Sequence, residues 1–98
     1  MLLAHAVTLA EARSYVAALA DHAQTTDASV EYERVLLQLD WIHGDYIPGI
    51  SAVPTDVRDV LFDVAESTIE DLIDYGIDAL QVELVLDMLW AAREKDTP

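Results

Sequence analysis

Apolar residues recur at helical spacing in four segments of the chain, and this pattern predicts an all-α fold. The first helix is predicted to begin at Thr8, because Thr8-Leu9-Ala10-Glu11 has the form of a capping box, and to end near Gln24-Thr25. Its apolar positions fall on one helical face, as expected for a helix with one buried side. They are Leu9, Ala12, Val16, Leu19 and Ala20.

The second helix is predicted to run from about Ala28 to His43 and to end at Gly44, a residue type suited to a left-handed helix end. It carries two apolar stripes. The first consists of Tyr32, Val35, Leu36, Leu39 and Ile42. The second, on a different side, consists of Val30, Leu37 and Trp41. Such a helix is either central in its domain or half buried and half at an interface.

Residues 44–54 form the only substantial predicted loop, with Pro48-Gly49 as its turn signal. The loop is rich in apolar side chains, namely Tyr46, Ile47, Ile50 and Val53. We therefore expect it to be ordered and packed over the core. Whether it only covers a core edge or also forms a binding surface stays open at this point.

Thr55 is predicted to cap the third helix, which should continue to about Tyr75 and stop at Gly76. Asp78 should then cap the fourth helix, residues 79–93, with Ile77 placed to pack on Val82. The fourth helix is apolar on nearly every side, so it is expected in the bundle centre or in a homodimer interface. The whole pattern predicts a single domain, residues 1–98: a compact bundle of about four helices with one ordered Pro/Gly loop between helices 2 and 3.

The chain offers little for catalysis or metal binding. It contains no cysteine, which excludes disulfides and thiolate chemistry, and its three glycines do not form a phosphate-binding loop. Asp40 and His43 stand one helical turn apart, but a di-iron bundle would need a second such pair, and the sequence has none. We therefore predict no catalytic residues, no metal ligands and no cofactor.

Charge is the most unusual property of the composition, with 19 acidic residues against 5 basic ones and a formal net charge of −14. Such a field repels nucleic acid and anionic lipid and attracts basic proteins. No apolar stretch approaches the roughly 20 residues that span a bilayer. We expect a cytoplasmic protein that binds neither nucleic acid nor membrane. Solubility or adaptation to salt would explain the same acidity.

The third predicted helix concentrates acidic residues in what we call the acidic row. Its members recur at steps of 3, 4, 3, 4 and 4 and would share one helical face. They are Asp56, Asp59, Asp63, Glu66, Glu70 and Asp74. Like charges four residues apart destabilise a helix by some tenths of a kcal/mol per pair. The row is therefore predicted to bind a basic partner, although a solvated face of an acidic protein explains it equally well.

Residues 72–90, LIDYGIDALQVELVLDMLW, resemble the C-terminal signature of MafI-type immunity proteins, small helical inhibitors of bacterial polymorphic toxins. The resemblance covers about a fifth of the chain and departs from the family pattern at Ile77-Asp78, where a glutamate and an aromatic residue are usual. The positions that match are Leu72-Ile73-Asp74, Gly76, Leu80, Glu83-Leu84, Asp87 and Leu89-Trp90.

The resemblance implies a non-enzymatic inhibitor that blocks a basic, nuclease-like toxin domain. The acidic row would meet the lysines and arginines of the toxin, and Trp41 or Tyr46 would anchor the contact. Two alternatives from other classes remain. One is a structural or adaptor subunit that self-associates through residues 79–93. The other is a carboxylate-rich bundle that binds metal or ligand, which divalent cations would stabilise.

Overall fold

The computed structural model describes residues 2–44 and 46–98, and these residues form four α-helices, one 3-10 helix and no strand. The elements are α1 (Leu3–Asp21), α2 (Thr26–His43), α3 (Arg58–Asp71), a 3-10 helix (Leu72–Tyr75) and α4 (Ala79–Lys95). The predicted all-α bundle of four helices is therefore confirmed.

The four helices enclose one core. α1 packs against α2 and α3, and α4 packs against the same two helices, so α1 and α4 lie on one diagonal and α2 and α3 on the other. Each helix turns one side inward. The largest fully buried side chains are Tyr32, Phe62, Leu9, Leu19, Leu39, Leu61, Ile69, Leu72 and Leu89.

Contacts at the two ends of the bundle fix the helix directions. At one end, His5 in the first turns of α1 meets His43 at the end of α2 and Tyr75 just after α3. At the other end, the backbone amide of Gln24 donates to the carboxylate of Asp96, which follows α4. α1 and α4 therefore run in one direction and α2 and α3 in the other.

Because α2 and α3 run the same way, residues 46–57 must carry the chain back along the bundle, and we call them the crossover. The Arg13 guanidinium donates to the Asp40 carboxylate at 2.8 Å and also to the Pro48 carbonyl. The buried Ser14 hydroxyl accepts from the Ser51 amide at 3.0 Å. These bonds hold the crossover on α1, as expected. Of its apolar residues Val53 packs against the core, whereas Tyr46 and Ile50 are exposed, so the expectation that all of them cover the core is wrong.

α1 begins five residues before the predicted position. Thr8 lies inside the helix, where its hydroxyl donates to the Ala4 carbonyl at 3.0 Å, so the predicted capping box is wrong. The earlier start lets His5 become buried against Tyr75, a tertiary contact that local sequence does not report. At the other end, Thr25 caps α2, and its hydroxyl accepts from the Ala28 amide at 3.1 Å.

α3 is shorter than predicted at both ends. Thr55 does not cap it, because its hydroxyl accepts from the Val57 amide in a local turn within the crossover. After Asp71 the chain tightens into the 3-10 helix and stops at Gly76, whose φ of +88° is the predicted left-handed conformation. Asp78 caps α4 as predicted, accepting from the Leu80 amide at 2.8 Å.

α4 does not occupy the centre of the bundle. Its buried residues are Val82, Val85, Leu89 and Ala92, all on one side. Leu80, Leu84 and Trp90 remain exposed, because a helix in a ring of four has only one inner side. The expected position in the bundle centre is therefore wrong. The alternative, a place in a homodimer interface, stays a prediction.

Replacing Arg13 should loosen the crossover and lower the free energy of unfolding. Arg13→Ala removes two charge-assisted contacts from a side chain that is 11% exposed and leaves Asp40 without its cation, so we expect a loss of about 2 kcal/mol. Arg34→Ala is the matched control, because Arg34 is 63% exposed and pairs within its own helix. The Arg34→Ala variant should lose less than about 0.5 kcal/mol of unfolding free energy. Equal losses in urea denaturation would contradict the anchoring role of Arg13.

Candidate functional site

All five basic side chains of the protein take part in ion pairs with its own acids. The pairs are Arg13–Asp40, Arg34–Glu31, Lys95–Glu31, Arg58–Asp96 and Arg93–Asp59, with nitrogen–oxygen distances from 2.8 to 3.9 Å. Most acids therefore have no basic side chain beside them. Their summed field is directed outward, where a basic partner would experience it.

The structure divides the acidic row among three elements. Asp59, Asp63, Glu66 and Glu70 share one side of α3, whereas Asp74 lies in the 3-10 helix. Asp56 precedes α3 and belongs to the crossover, so the expectation that all six share one helix is wrong. The reason is the turn made by Thr55, which delays the start of α3. Asp59, Asp63 and Glu70 are exposed and Glu66 is half buried.

α4 adds acids that the sequence pattern did not associate with this row. The rings of Phe62 and Trp90 are 5.0 Å apart, and Arg93 lies 3.6 Å from Asp59, so α3 and α4 are antiparallel in a defined register. Glu83 and Asp87 are seven and three residues before Trp90 and therefore lie on its side of α4.

The register brings these two acids to the levels of Glu70 and Glu66. We call the resulting surface the acidic face, and it consists of Asp59, Asp63, Glu66, Glu70, Glu83 and Asp87. Sequence periodicity could not reveal it, because periodicity relates residues only within one helix.

Trp90 is the aromatic residue of the acidic face, and the sequence did not single it out, because the fourth helix was expected in the bundle centre or in a homodimer interface. The side chain is 47% exposed, and its ring meets the Phe62 ring edge-on at an interplanar angle of 72°. The Arg93 guanidinium lies 4.4 Å from the Phe62 centroid and 5.4 Å from that of Trp90. These contacts hold the tryptophan in place while leaving about half of it available to a partner.

The two aromatic anchors predicted from the sequence lie elsewhere. Trp41 is 81% exposed on α2, which is diagonal to α3, so it is not part of the acidic face. Tyr46 is exposed at the start of the crossover, beyond the end of α2. The structure thus brings the α3 acids together with Trp90 and does not bring them together with Trp41 or Tyr46.

A small cavity of about 250 Å³ lies where the C-terminal end of α4 meets the start of α3. Arg58 and Arg93 line it, and the Asp96 carboxylate, nearly buried there, accepts from the Gln24 backbone amide at 2.6 Å. Burial, and then the Asp96 charge, raise the pKa of Tyr32 to about 12. Arg58 thus pairs with an internal carboxylate, whereas Arg93 pairs with the exposed Asp59. Tyr32 stays neutral at physiological pH.

A larger, open groove of about 540 Å³ separates the second half of α1 from the crossover, and Asp21, His22 and Asp56 are its ionisable residues. Neither there nor elsewhere in residues 2–44 and 46–98 do three acids or histidines cluster closely enough to hold a metal ion.

Two histidines that are distant in sequence meet at the opposite end of the bundle. His5 Nε2 and His43 Nε2 are 3.1 Å apart, and His43 Nδ1 is 2.8 Å from the Leu39 carbonyl. Since Nδ1 of His43 must donate to that carbonyl, its Nε2 accepts and His5 donates. The His5 ring stacks on Tyr75 at 5.1 Å. Burial, and then the neighbouring His43, lower the pKa of His5.

The contact between His5 and His43 should make the free energy of unfolding depend on pH. A pKa lowered on folding means that, below about the ordinary value of 6.5, the unfolded chain binds the proton more readily. Stability should therefore fall as the pH decreases from neutral through the folded-state pKa. His5→Gln should weaken this dependence between neutral and mildly acidic pH, whereas the exposed His22→Gln should retain it. If urea denaturation gives the same pH dependence for His5→Gln as for the parent chain, the pair does not have this effect.

No protein-family model matches the chain, and neither a curated protein nor a solved structure is significantly similar to it. None of the helices that the structure describes combines the length and apolarity needed to span a bilayer.

Proposed function

We propose that this protein is a non-enzymatic inhibitor of the immunity or antitoxin type, which blocks a basic, nuclease-like toxin through its acidic face. The observation that carries the proposal is the distribution of charge. Every basic side chain pairs with an acid of the chain itself, while α3 and α4 present six acids around a half-exposed tryptophan, and of these six only Asp59 has a basic partner, Arg93.

The chemistry of a nuclease cleft explains why such a surface would inhibit it. A cleft that holds phosphates is lined by lysine and arginine, and helix-borne carboxylates can occupy the same positions and exclude the substrate. Complementary charge also accelerates encounter, from about 10⁵–10⁶ M⁻¹s⁻¹ to as much as about 10⁸–10⁹ M⁻¹s⁻¹ at low salt. Fast capture suits a protein that must neutralise a toxin before it acts.

Rigidity supports the same interpretation. Asp63, Glu66 and Glu70 are carried by a helix whose other side, including Leu61, Phe62 and Ile69, is fully or almost fully buried. The carboxylates are therefore held on a fixed backbone, which reduces the entropy lost on binding.

Trp90 is the proposed aromatic anchor of this contact. Tryptophan is enriched among residues that dominate binding energy, and this one adjoins the acids that would face the toxin. Trp41 and Tyr46, the anchors suggested by the sequence, would lie outside a contact centred on α3. The resemblance to MafI-type immunity proteins supports the class of partner, and a cytoplasmic site of action is part of the proposal.

The proposal predicts that a neighbouring gene encodes a secreted toxin, and the purified catalytic domain of that toxin is the probe. The triple variant Asp63→Lys/Glu66→Lys/Glu70→Lys should slow association at least tenfold at low salt, because it reverses the charge that steers encounter. Stopped-flow mixing measures the rate, and a nuclease assay measures inhibition. Added salt should slow the parent chain and have little effect on the variant.

A second triple variant, Asp21→Lys/Asp27→Lys/Glu33→Lys, is the control. It changes net charge by the same amount at exposed positions outside α3 and α4. It should slow association much less. If both triple variants lower the rate equally, only net charge matters, and if neither lowers it, the acidic face is not the binding site.

A further inference from the structure

The Tyr32 hydroxyl opens into the small cavity between the end of α4 and the start of α3. The Tyr32 side chain is 1% exposed and lines this cavity, and its oxygen has no hydrogen-bond partner among the described residues. Every fully buried side-chain nitrogen or oxygen of those residues does have a partner, so the hydroxyl must reach the space of the cavity. A buried polar group in this position requires an acceptor or donor from outside the fold.

The groups around the cavity are mainly hydrogen-bond donors. With its pKa raised to about 12, the Tyr32 hydroxyl keeps its proton and can donate it. The guanidinium groups of Arg58 and Arg93 donate and cannot accept, and the Gln24 backbone amide also donates here. The side-chain amide of Gln24 faces Arg58 and helps to hold it at the wall. Such a lining favours a ligand rich in acceptor oxygens.

Asp96 is the acceptor that the fold itself places among these donors. Its carboxylate is 6% exposed, accepts from the Gln24 backbone amide at 2.6 Å and lies 3.9 Å from a nitrogen of Arg58. No hydrogen bond joins it to the Tyr32 hydroxyl. Asp96 therefore satisfies only some of the donors that line the cavity.

The cavity is positively charged apart from Asp96. Its other acid is Asp59, whose side chain is 86% exposed, so solvent screens its charge. Asp96 is the first residue after α4, and the end of that helix is held independently, because the Thr25 hydroxyl donates to the Lys95 carbonyl at 2.7 Å. Rotation of the Asp96 side chain alone would therefore free Arg58 and the Gln24 amide without disturbing the bundle.

The size of the cavity favours a tetrahedral oxyanion over a carboxylate. The volume is about 250 Å³. A water molecule takes up about 30 Å³ in the liquid, so the cavity exceeds what one water or one carboxylate fills. The oxygens of a phosphate group point in different directions and can meet donors on several walls at once, and the planar arginine guanidinium is well suited to bind them.

We propose that this cavity is a phosphate-binding site in which phosphate oxygens accept from the Tyr32 hydroxyl, the Arg58 guanidinium and the Gln24 backbone amide. Asp96 competes with the ligand for the last two of these groups. The ligand is inorganic phosphate or a small molecule that carries a phosphate group. The site goes beyond the proposed inhibition and does not depend on it.

Tyr32→Phe tests the role of the hydroxyl. The full chain, labelled with ¹⁵N, is titrated with inorganic phosphate at neutral pH and constant ionic strength, and NMR follows the Gln24 backbone amide, which should shift and saturate. Tyr32→Phe should bind phosphate at least about tenfold more weakly, because it loses a hydrogen bond to a charged ligand. Its stability without phosphate should not fall, since the hydroxyl has no partner to lose. Tyr75→Phe, at the opposite end of the bundle, should bind as the parent does.

Asp96→Ala tests the competition. Without the carboxylate the site is always open, so phosphate should bind at least about tenfold more tightly than it does to the parent chain. Asp71→Ala is the control, because it removes the same charge at an exposed position at the end of α3 and should leave the affinity unchanged.

Two further ligands define what the site recognises. Acetate imitates the Asp96 carboxylate and should bind more weakly than phosphate, because it does not also reach Tyr32. O-phosphoserine carries the phosphate group on a larger molecule. If it binds at least as tightly as inorganic phosphate, the ligand is a phosphate ester, and if it binds more weakly, the ligand is free phosphate.

Any of three results would overturn the phosphate site. The first is the absence of a saturable shift with phosphate in both the parent chain and Asp96→Ala, which would mean that water alone satisfies the hydroxyl. The second is equal affinity of Tyr32→Phe and the parent. The third is acetate binding as tight as phosphate binding, which would identify a site for carboxylates.

Discussion

Arg13 connects three parts of the chain that local sequence does not relate. Its guanidinium joins α1 to Asp40 of α2 and to the Pro48 carbonyl of the crossover. The topology needs such a connection, because α2 and α3 run in the same direction and the chain must return along the bundle between them. This contact holds the returning chain on α1, and the turn at Thr55 then sets where α3 begins.

The scarcity of basic residues shapes the rest of the surface. The chain has five basic residues against 19 acidic ones. Each base that pairs with an acid of the same chain is therefore no longer available to balance the remaining surface acids. Arg58 and Arg93 lie beside carboxylates at one end of the bundle, and Arg34 and Lys95 share Glu31 on α2. The result is an acidic face on α3 and α4, while exposed apolar side chains such as Leu37 and Trp41 lie on α2, away from the α3 acids.

α4 shows why these surfaces were only partly predictable. The sequence identified an apolar helix with an Asp78 cap, and both features are present, since capping and composition are local properties. It could not distinguish burial from exposure, because an all-round apolar helix fits a bundle centre and an interface equally well. Trp90 was missed for this reason, whereas Trp41 is exposed, as a partner anchor must be, but lies on α2 away from the α3 acids. Their surroundings are set by Phe62 and Arg93 in one case and by open solvent beside α2 in the other.

The helix count, the Gly76 stop, the position of the loop and the α3 acids at helical spacing follow from the sequence alone. Each of these depends on residues within a few turns of one another. The exclusion of Asp56 from α3 is also local, because it follows from the turn in which the Thr55 hydroxyl accepts from the Val57 amide, but helical periodicity does not report such a turn. Tertiary structure brings Glu83 and Asp87 beside the α3 acids and His5 to His43. Both arrangements depend on the register and direction of helices packed side by side, which are set by long-range contacts and not by the periodicity of any one helix.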